Sequence, residues 1–327
     1  MTSANAQDIY EFHKICASAN SATIRSLFGF RLRPYYGQNE SITSIDNKIL
    51  LMTATELAEK IRKKQLSCEE IMKAYVQRSK IVHPFVNAAV DDRYEDALKD
   101  AKDVDDLLAK NTKSEEEIKR ILLFLEFLFV QRGYWRQDMA QTNGLVRART
   151  RLAPEDSDTA ALYRKAGAIP YVVTNVPELC MWWESANLVF GMTKNPYNNS
   201  RSVAGSSGGE GAIITSAAAV IGIGNDLAGS IRLPASFCGI YGHKPSRNVI
   251  SNKGEFPECG EEWNEIVSTG PMCRYALDLP LLTRVLADNN ENVKWDEKVD
   301  FRKVKSLLYG GNTRIFKQSC PRCQGFY

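Results

Sequence analysis

Apolar side chains recur at helical spacing between residues 53 and 110. Leu57 and Ile61 follow Thr53 and Glu56, while Ile71, Tyr75 and Ile81 follow Ser67 and Glu70. Each Ser/Thr-x-x-Glu pair is a capping-box signature in front of an amphipathic run, so two helices are predicted. After His83-Pro84 the run Phe85 to Val90 reads as extended, and Asp91 to Lys110 predicts a third helix with Tyr94, Leu98, Val104, Leu107 and Leu108 on one face. Ile121 to Val130 is apolar but interrupted by Glu126, too short to cross a bilayer, and reads as a buried element. Thr159 to Ala166 predicts a helix capped by Gly167, and Ala168 to Thr174 a short buried strand that ends at Asn175. Helix alternating with strand indicates an α/β fold. Asn195 to Ser200 has turn chemistry, and residues 1–42 show no period and are read as a tail.

The pattern changes at residues 204–235, AGSSGGEGAIITSAAAVIGIGNDLAGSIRLPA, where glycines crowd two segments around an alanine-rich apolar piece. Glycine inside an element costs stability, so these clusters mark places where backbone turns sharply or approaches something closely. Backbone cradles for a ligand and a glycine-lined helix–sheet contact both satisfy that requirement. A phosphate cradle is disfavoured, because no Gly-Lys-Ser/Thr follows and the dinucleotide fingerprint is incomplete. Serine hydrolysis fits better: Ser230 follows Leu227-Ala228-Gly229 on a tight turn, where the N–H groups of 227 to 230 can converge on a carbonyl oxygen. A histidine base is poorly supplied, since His243 in Gly-His-Lys-Pro has no evident orienting acid and His13 and His83 lie far away in sequence.

Ser206-Ser207-Gly208-Gly209-Glu210-Gly211 followed by Asp226-x-x-Gly229-Ser230-Ile231-Arg232-x-Pro234 resembles the amidase signature. The similarity extends from Leu51 to Ala287 through Glu178 to Asn187, Asn195-Pro196-Tyr197, Gly242 to Ser246, Asn252 to Pro257 and Thr269 to Leu279, in the manner of the fatty-acid amide hydrolase branch and its insect relatives. The resemblance implies an α/β amidase-signature fold, with a large mixed sheet flanked by helices on both faces. It implies Ser230 as nucleophile and Ser206 as bridging serine behind a cis peptide bond, with an oxyanion hole of the Leu227, Ala228, Gly229 and Ser230 N–H groups. Asp226 and Arg232 are expected to pair and hold the loop, and Cys180 to line the substrate pocket. The implied reaction is hydrolysis of linear amides of fatty-acid amide type through a Ser-Ser-Lys mechanism, with no cofactor and no metal.

One catalytic residue of that pattern is missing. Counting back from the bridging serine to the family's lysine reaches Gln131, within Phe129-Val130-Gln131-Arg132-Gly133-Tyr134-Trp135. Glutamine cannot take a proton at neutral pH, and Arg132 stays protonated. Lys113 and Lys119 stand upstream as weak substitutes in a charged stretch. The similarity lapses over 111–138, and the family's chains continue beyond Tyr327, so a C-terminally truncated fold is expected. The expected organisation is a tail at 1–42, an incomplete amidase-signature domain at 43–309 and an unrelated tail at 310–327. A non-catalytic pseudoenzyme on the same scaffold is the alternative reading.

Charge and cysteine content narrow the partners. A formal net charge of +3 gives no footprint for nucleic acid. Eight scattered cysteines without a secretory leader indicate a reducing, intracellular setting, cytoplasmic or peripheral to a membrane. The pair Cys320 and Cys323 has no second pair to complete a zinc site. The expected partners are a small, lipid-like amide and a second copy in a homodimer, with no transmembrane segment.

Overall fold

The computed structural model describes residues 41–110, the backbone of 128–131, and residues 137–256, 260, 263, 265–295 and 297. The tails at 1–40 and 298–327, together with Lys113, Lys119 and Arg132, lie outside the described residues. The chain divides into a unit Met1–Val293 and a unit Lys294–Tyr327, and the fold described here is that of the first.

Helix α1 (Ala54–Arg62) opens with the predicted capping box: Thr53 Oγ1 accepts the Glu56 N–H at 3.0 Å and Glu56 Oε2 accepts the Thr53 N–H at 2.8 Å. Its first turn receives a second cap from far along the chain, since Asp278 accepts Ala54 N–H at 3.0 Å, Thr55 N–H at 3.1 Å and Thr55 Oγ1 at 2.9 Å. Tyr275 Oη and Arg274 Nη1 donate to the Leu51 and Leu50 carbonyls beside it. Helix α2 (Cys68–Val86) starts with Ser67 capping Glu70 N–H, and Asp105 accepts the Cys68 and Glu69 amides at 2.8 and 3.0 Å.

The helix then departs from the sequence expectation: it runs through Pro84 to Val86 instead of giving way to an extended run at Phe85. It ends at Asn87 in a left-handed conformation (φ 49°), with Asn87 Nδ2 donating to the Phe190 and Met192 carbonyls. The stop is thus set by a distant loop. Strand β1 (Ala89–Asp92) and helix α3 (Tyr94–Ala109) follow. Strand β2 (Leu128–Gln131) falls at the end of the apolar run read as a buried element.

Helix α4 (Asp158–Lys165), Gly167 at φ 95° and strand β3 (Ile169–Thr174), buried along its whole length, match the predicted helix, cap and strand. Short hairpins follow: β4 (Ala186–Asn187) with β5 (Gly191–Met192), and β6 (Lys194–Asn195) with β7 (Asn198–Ser202), the latter at the predicted Asn-Pro-Tyr turn. Helix α5 (Gly208–Thr215) is buried on every side, as its uniformly small and apolar surface requires. Strand β8 (Ile221–Asp226), helix α6 (Arg232–Cys238), strand β9 (Tyr241–Gly242), strand β10 (Ser268–Cys273) and helix α7 (Leu279–Leu286) complete the described elements.

Among the described residues the main sheet has the order β1-β3-β2-β8-β10-β9. Its centre is parallel, with β2 between β3 and β8, while β1, β10 and β9 join antiparallel. This is a mixed α/β sheet. Helices α3 and α4 contact β3, α5 contacts β8, and α7 contacts β10. The two glycine-rich segments are therefore α5's entry and β8's exit, side by side at an inner strand of the sheet.

Candidate active site

Ser206 and Ser230 sit on these adjoining segments. Ser206 precedes α5, is fully buried and follows a cis Gly205–Ser206 peptide bond. Ser230 lies on the turn between β8 and α6. The Ser206 Oγ donates to Ser230 Oγ at 2.8 Å, and the Ser207 N–H donates to the Ser230 carbonyl at 3.1 Å. Glycine is required where α5 packs: a Cβ on Gly209 would lie 2.6 Å from the Asn175 backbone N and O at the end of β3. The helix can approach the strand only because that carbon is absent.

Asp226, the last residue of β8, organises the Ser230 turn. Its side chain is fully buried and accepts the N–H groups of Gly229 at 2.7 Å, Ile231 at 3.1 Å and Arg232 at 3.3 Å. Arg232 adds a bidentate pair, Nε to Oδ2 at 2.9 Å and Nη2 to Oδ1 at 3.0 Å. Burial alone pushes the Asp226 carboxyl upward, but the Arg232 guanidinium and the three backbone N–H groups together outweigh it and bring the value down to about 2. The expected Asp226–Arg232 pair is therefore present.

This arrangement changes the donor set read from the sequence. The Gly229 N–H is turned to Asp226 Oδ1, which leaves the N–H groups of Leu227, Ala228 and Ser230 as those not committed to that carboxylate. The sequence could not distinguish the four, because only the fold of the turn decides which amide faces the aspartate.

The segment 182–185, which the sequence marks only through the family resemblance, braces both serines. Ser185 Oγ bonds to the Ala204 and Ser206 carbonyls at 3.2 Å each and accepts the Gly208 N–H at 2.9 Å. Trp183 Nε1 donates to the Ala228 carbonyl at 3.2 Å. Glu210 is also buried here and accepts a hydrogen bond from Thr174 Oγ1 at 2.9 Å. Cys180 is half-buried in a short turn where both it and Leu179 have positive φ, 59° and 53°, and it makes no hydrogen bond to either serine.

Three further polar side chains of the neighbouring elements have other surroundings. The His243 backbone N–H joins the Pro271 carbonyl at 3.1 Å beside the β9–β10 edge, and burial lowers the pKa of its imidazole. Lys244 Nζ donates to the Ile266 carbonyl at 2.9 Å and Ser268 Oγ at 3.3 Å, and desolvation lowers its pKa, but neither serine is its partner. Burial pushes the Cys238 thiol up to about 12, which keeps it protonated at neutral pH. The Gln131 backbone lies at the end of β2, in register with Val173 of β3 and Ile223 of β8.

The family model for amidases matches residues 70–310. Fatty-acid amide hydrolase 2-A of Danio rerio is 42% identical over 282 residues, covering 85% of this chain and 53% of that protein. Fatty-acid amide hydrolase 2 of Homo sapiens is 41% identical over 263 residues, covering 80% and 49% respectively. Among solved structures, a fatty acid amide hydrolase superposes with a TM-score of 0.67 at 26% identity, covering 94% of this chain and 51% of the other. A 6-aminohexanoate cyclic dimer hydrolase complexed with substrate superposes at 0.62 and 28% identity, covering 74% and 47%. The chain spans about half the length of the curated relatives it matches.

Proposed function

Since this chain belongs to the amidase family, we propose that its site is built to hydrolyse linear, lipid-like amides, with Ser230 as nucleophile and Ser206 as the relay beside it. The observation that carries this reading is the 2.8 Å hydrogen bond between the two hydroxyls. Ser230 Oγ attacks the amide carbonyl, and its proton passes by way of Ser206 to a base. The carbonyl oxygen, now negative, is met by the N–H groups of Leu227, Ala228 and Ser230. The same relay returns that proton to the amide nitrogen as the C–N bond breaks, the neutral amine leaves, and water then cleaves the Ser230 ester, releasing the acid and restoring the hydroxyl. On this reading Cys180 lines the substrate pocket, an expectation that follows from the resemblance alone. Homodimerisation and peripheral contact with a membrane belong to the same reading; among the described residues no helix is long and apolar enough to cross a bilayer.

Gln131 favours a second reading. In the resting pair Ser206 is the donor, so it can accept the Ser230 proton only after losing its own. A glutamine at the end of β2 cannot take that proton, and loss of a general base costs roughly 10² to 10⁴ in rate. On this reading the chain keeps the scaffold and binds an acyl ligand without turning it over.

The two readings separate in one experiment, combining a serine-directed fluorophosphonate with an oleamide hydrolysis assay. Labelling and turnover that vanish in Ser230→Ala support the amidase. Absence of both in a folded chain supports the binding scaffold, and turnover that survives Ser230→Ala overturns the assignment of the nucleophile.

A further inference from the structure

The segment Trp182–Ser185 touches both serine-bearing loops, and its chemistry is specific on each side. On the Ser206 side the contact is close: a Cβ on Gly205 would lie 2.7 Å from the Trp182 carbonyl oxygen and from the Glu184 nitrogen, and 2.9 Å from the Trp183 carbonyl carbon. Ser185 then fixes the Ala204 and Ser206 carbonyls. On the Ser230 side the only donor of an indole ring, Trp183 Nε1–H, is aimed at the Ala228 carbonyl although the residue is 59% exposed and water is available to it. Two adjacent non-glycine residues, Leu179 and Cys180, take the left-handed conformation just upstream. That conformation disfavours side chains carrying a Cβ, so the approach of this segment to the site is held by its surroundings.

The Ala228 carbonyl shares a peptide plane with the Gly229 N–H, and that N–H is the one bound to Asp226 Oδ1 at 2.7 Å. One peptide unit is therefore held at both ends, by an indole on its oxygen and a buried carboxylate on its nitrogen. With that plane fixed, the flanking amides of Ala228 and Ser230 have a defined direction. If the oxygen end were released, the plane could swing about the Asp226 contact and carry those donors off their target.

We propose that Trp183 is a positioning residue for the oxyanion-binding turn, acting through the Ala228 carbonyl and not through contact with the reacting atoms. The inference rests on the proposed role of the 227–230 turn, and its test separates the two. Binding of decanoate, whose carboxylate oxygen needs the amide donors, and of 1-decanol, which presents no anion, is measured by titration calorimetry on the full chain, on Trp183→Phe and on Trp182→Phe. Trp183→Phe keeps an aromatic ring but removes the donor. It is expected to weaken decanoate about five- to tenfold, in keeping with one lost hydrogen bond, while 1-decanol stays within about twofold. Trp182→Phe, which removes an indole that makes no hydrogen bond to the turn, is expected to change neither. Hydrogen exchange in the peptide covering 227–231 supplies a second reading, faster in Trp183→Phe and unchanged in Trp182→Phe.

Equal losses for decanoate and 1-decanol in Trp183→Phe would assign the ring a packing role and overturn the inference, as would unchanged binding with unchanged exchange. A wild-type chain that binds decanoate no better than 1-decanol would instead remove the oxyanion reading of the turn, and the positioning role would fall with it.

Discussion

Replacing Asp226 by asparagine tests how the Ser230 turn is held. The carboxylate accepts hydrogen bonds from Gly229, Ile231 and Arg232 amides and from two guanidinium nitrogens, with Oδ1 and Oδ2 both facing donors only. Asparagine offers one acceptor, so its NH₂ group must be set against donors on one side. If it faces the Oδ1 side, the Gly229 N–H is stranded; if it faces the Oδ2 side, the Ile231 N–H is. A buried donor left without a partner costs about 1–3 kcal/mol, and the lost charge-assisted bonds add to that. Arg232, 57% exposed, recovers most of its share in water. The expected loss is therefore about 2–4 kcal/mol. Arg232→Met should cost less, about 1–2 kcal/mol, because three backbone N–H groups still solvate the carboxylate. Urea unfolding followed by circular dichroism at neutral pH gives both values from midpoint shifts at constant slope. A loss below about 1 kcal/mol for Asp226→Asn, or a larger loss for Arg232→Met than for Asp226→Asn, would refute this account.

The remaining expectations follow from single contacts. The Asp226 carboxyl is held down at about 2, so its contribution to stability is complete above the unfolded carboxylate value near 4 and is lost as pH falls through about 2; the acid limb of a stability profile should flatten in Asp226→Asn, and an unchanged limb would count against the linkage. Gly209→Ala places a carbon 2.6 Å from the Asn175 backbone and should destabilise by about 1–3 kcal/mol or more, read as a drop in melting temperature. Leu188 and Leu277 are 82% and 80% exposed, and Trp182 and Trp183 are exposed as well, so the chain should bind a dye for apolar surface and aggregate at raised concentration; a monodisperse chain without dye binding would contradict this.

Local chemistry made much of this fold readable. Thr53 with Glu56, Ser67, Gly167 and the β-branched run up to Thr174 each act within a few residues of themselves, and each lies where its pattern placed it. The small residues around Ser206 and Ser230 marked a close approach of two backbones, and α5 and β8 make that approach. What escaped depends on residues distant in sequence. Pro84 reads as a helix end, yet the helix stops only where Asn87 finds the Phe190 and Met192 carbonyls, and a proline in the last turn breaks too few bonds to stop it earlier. The order of the sheet, the choice of which amide in the Ser230 turn meets Asp226, and the reach of Trp183 to Ala228 are likewise tertiary facts without a sequence period.

The second cap on α1 bears on synthesis. Asp278 reaches back 224 positions to the Ala54 amide and 223 to the Thr55 amide and hydroxyl, and Tyr275 and Arg274 close onto Leu51 and Leu50 across a span of 224. At about 5–20 residues per second a ribosome needs on the order of 10–45 s to supply those partners. During that interval Leu57, Ala58 and Ile61, which end fully buried, have only the nascent chain, water or a chaperone to lie against. A ribosome-bound intermediate ending before Arg274 should accordingly present this helix to holding chaperones, and emergence of residues 274–278 should be the event that withdraws it.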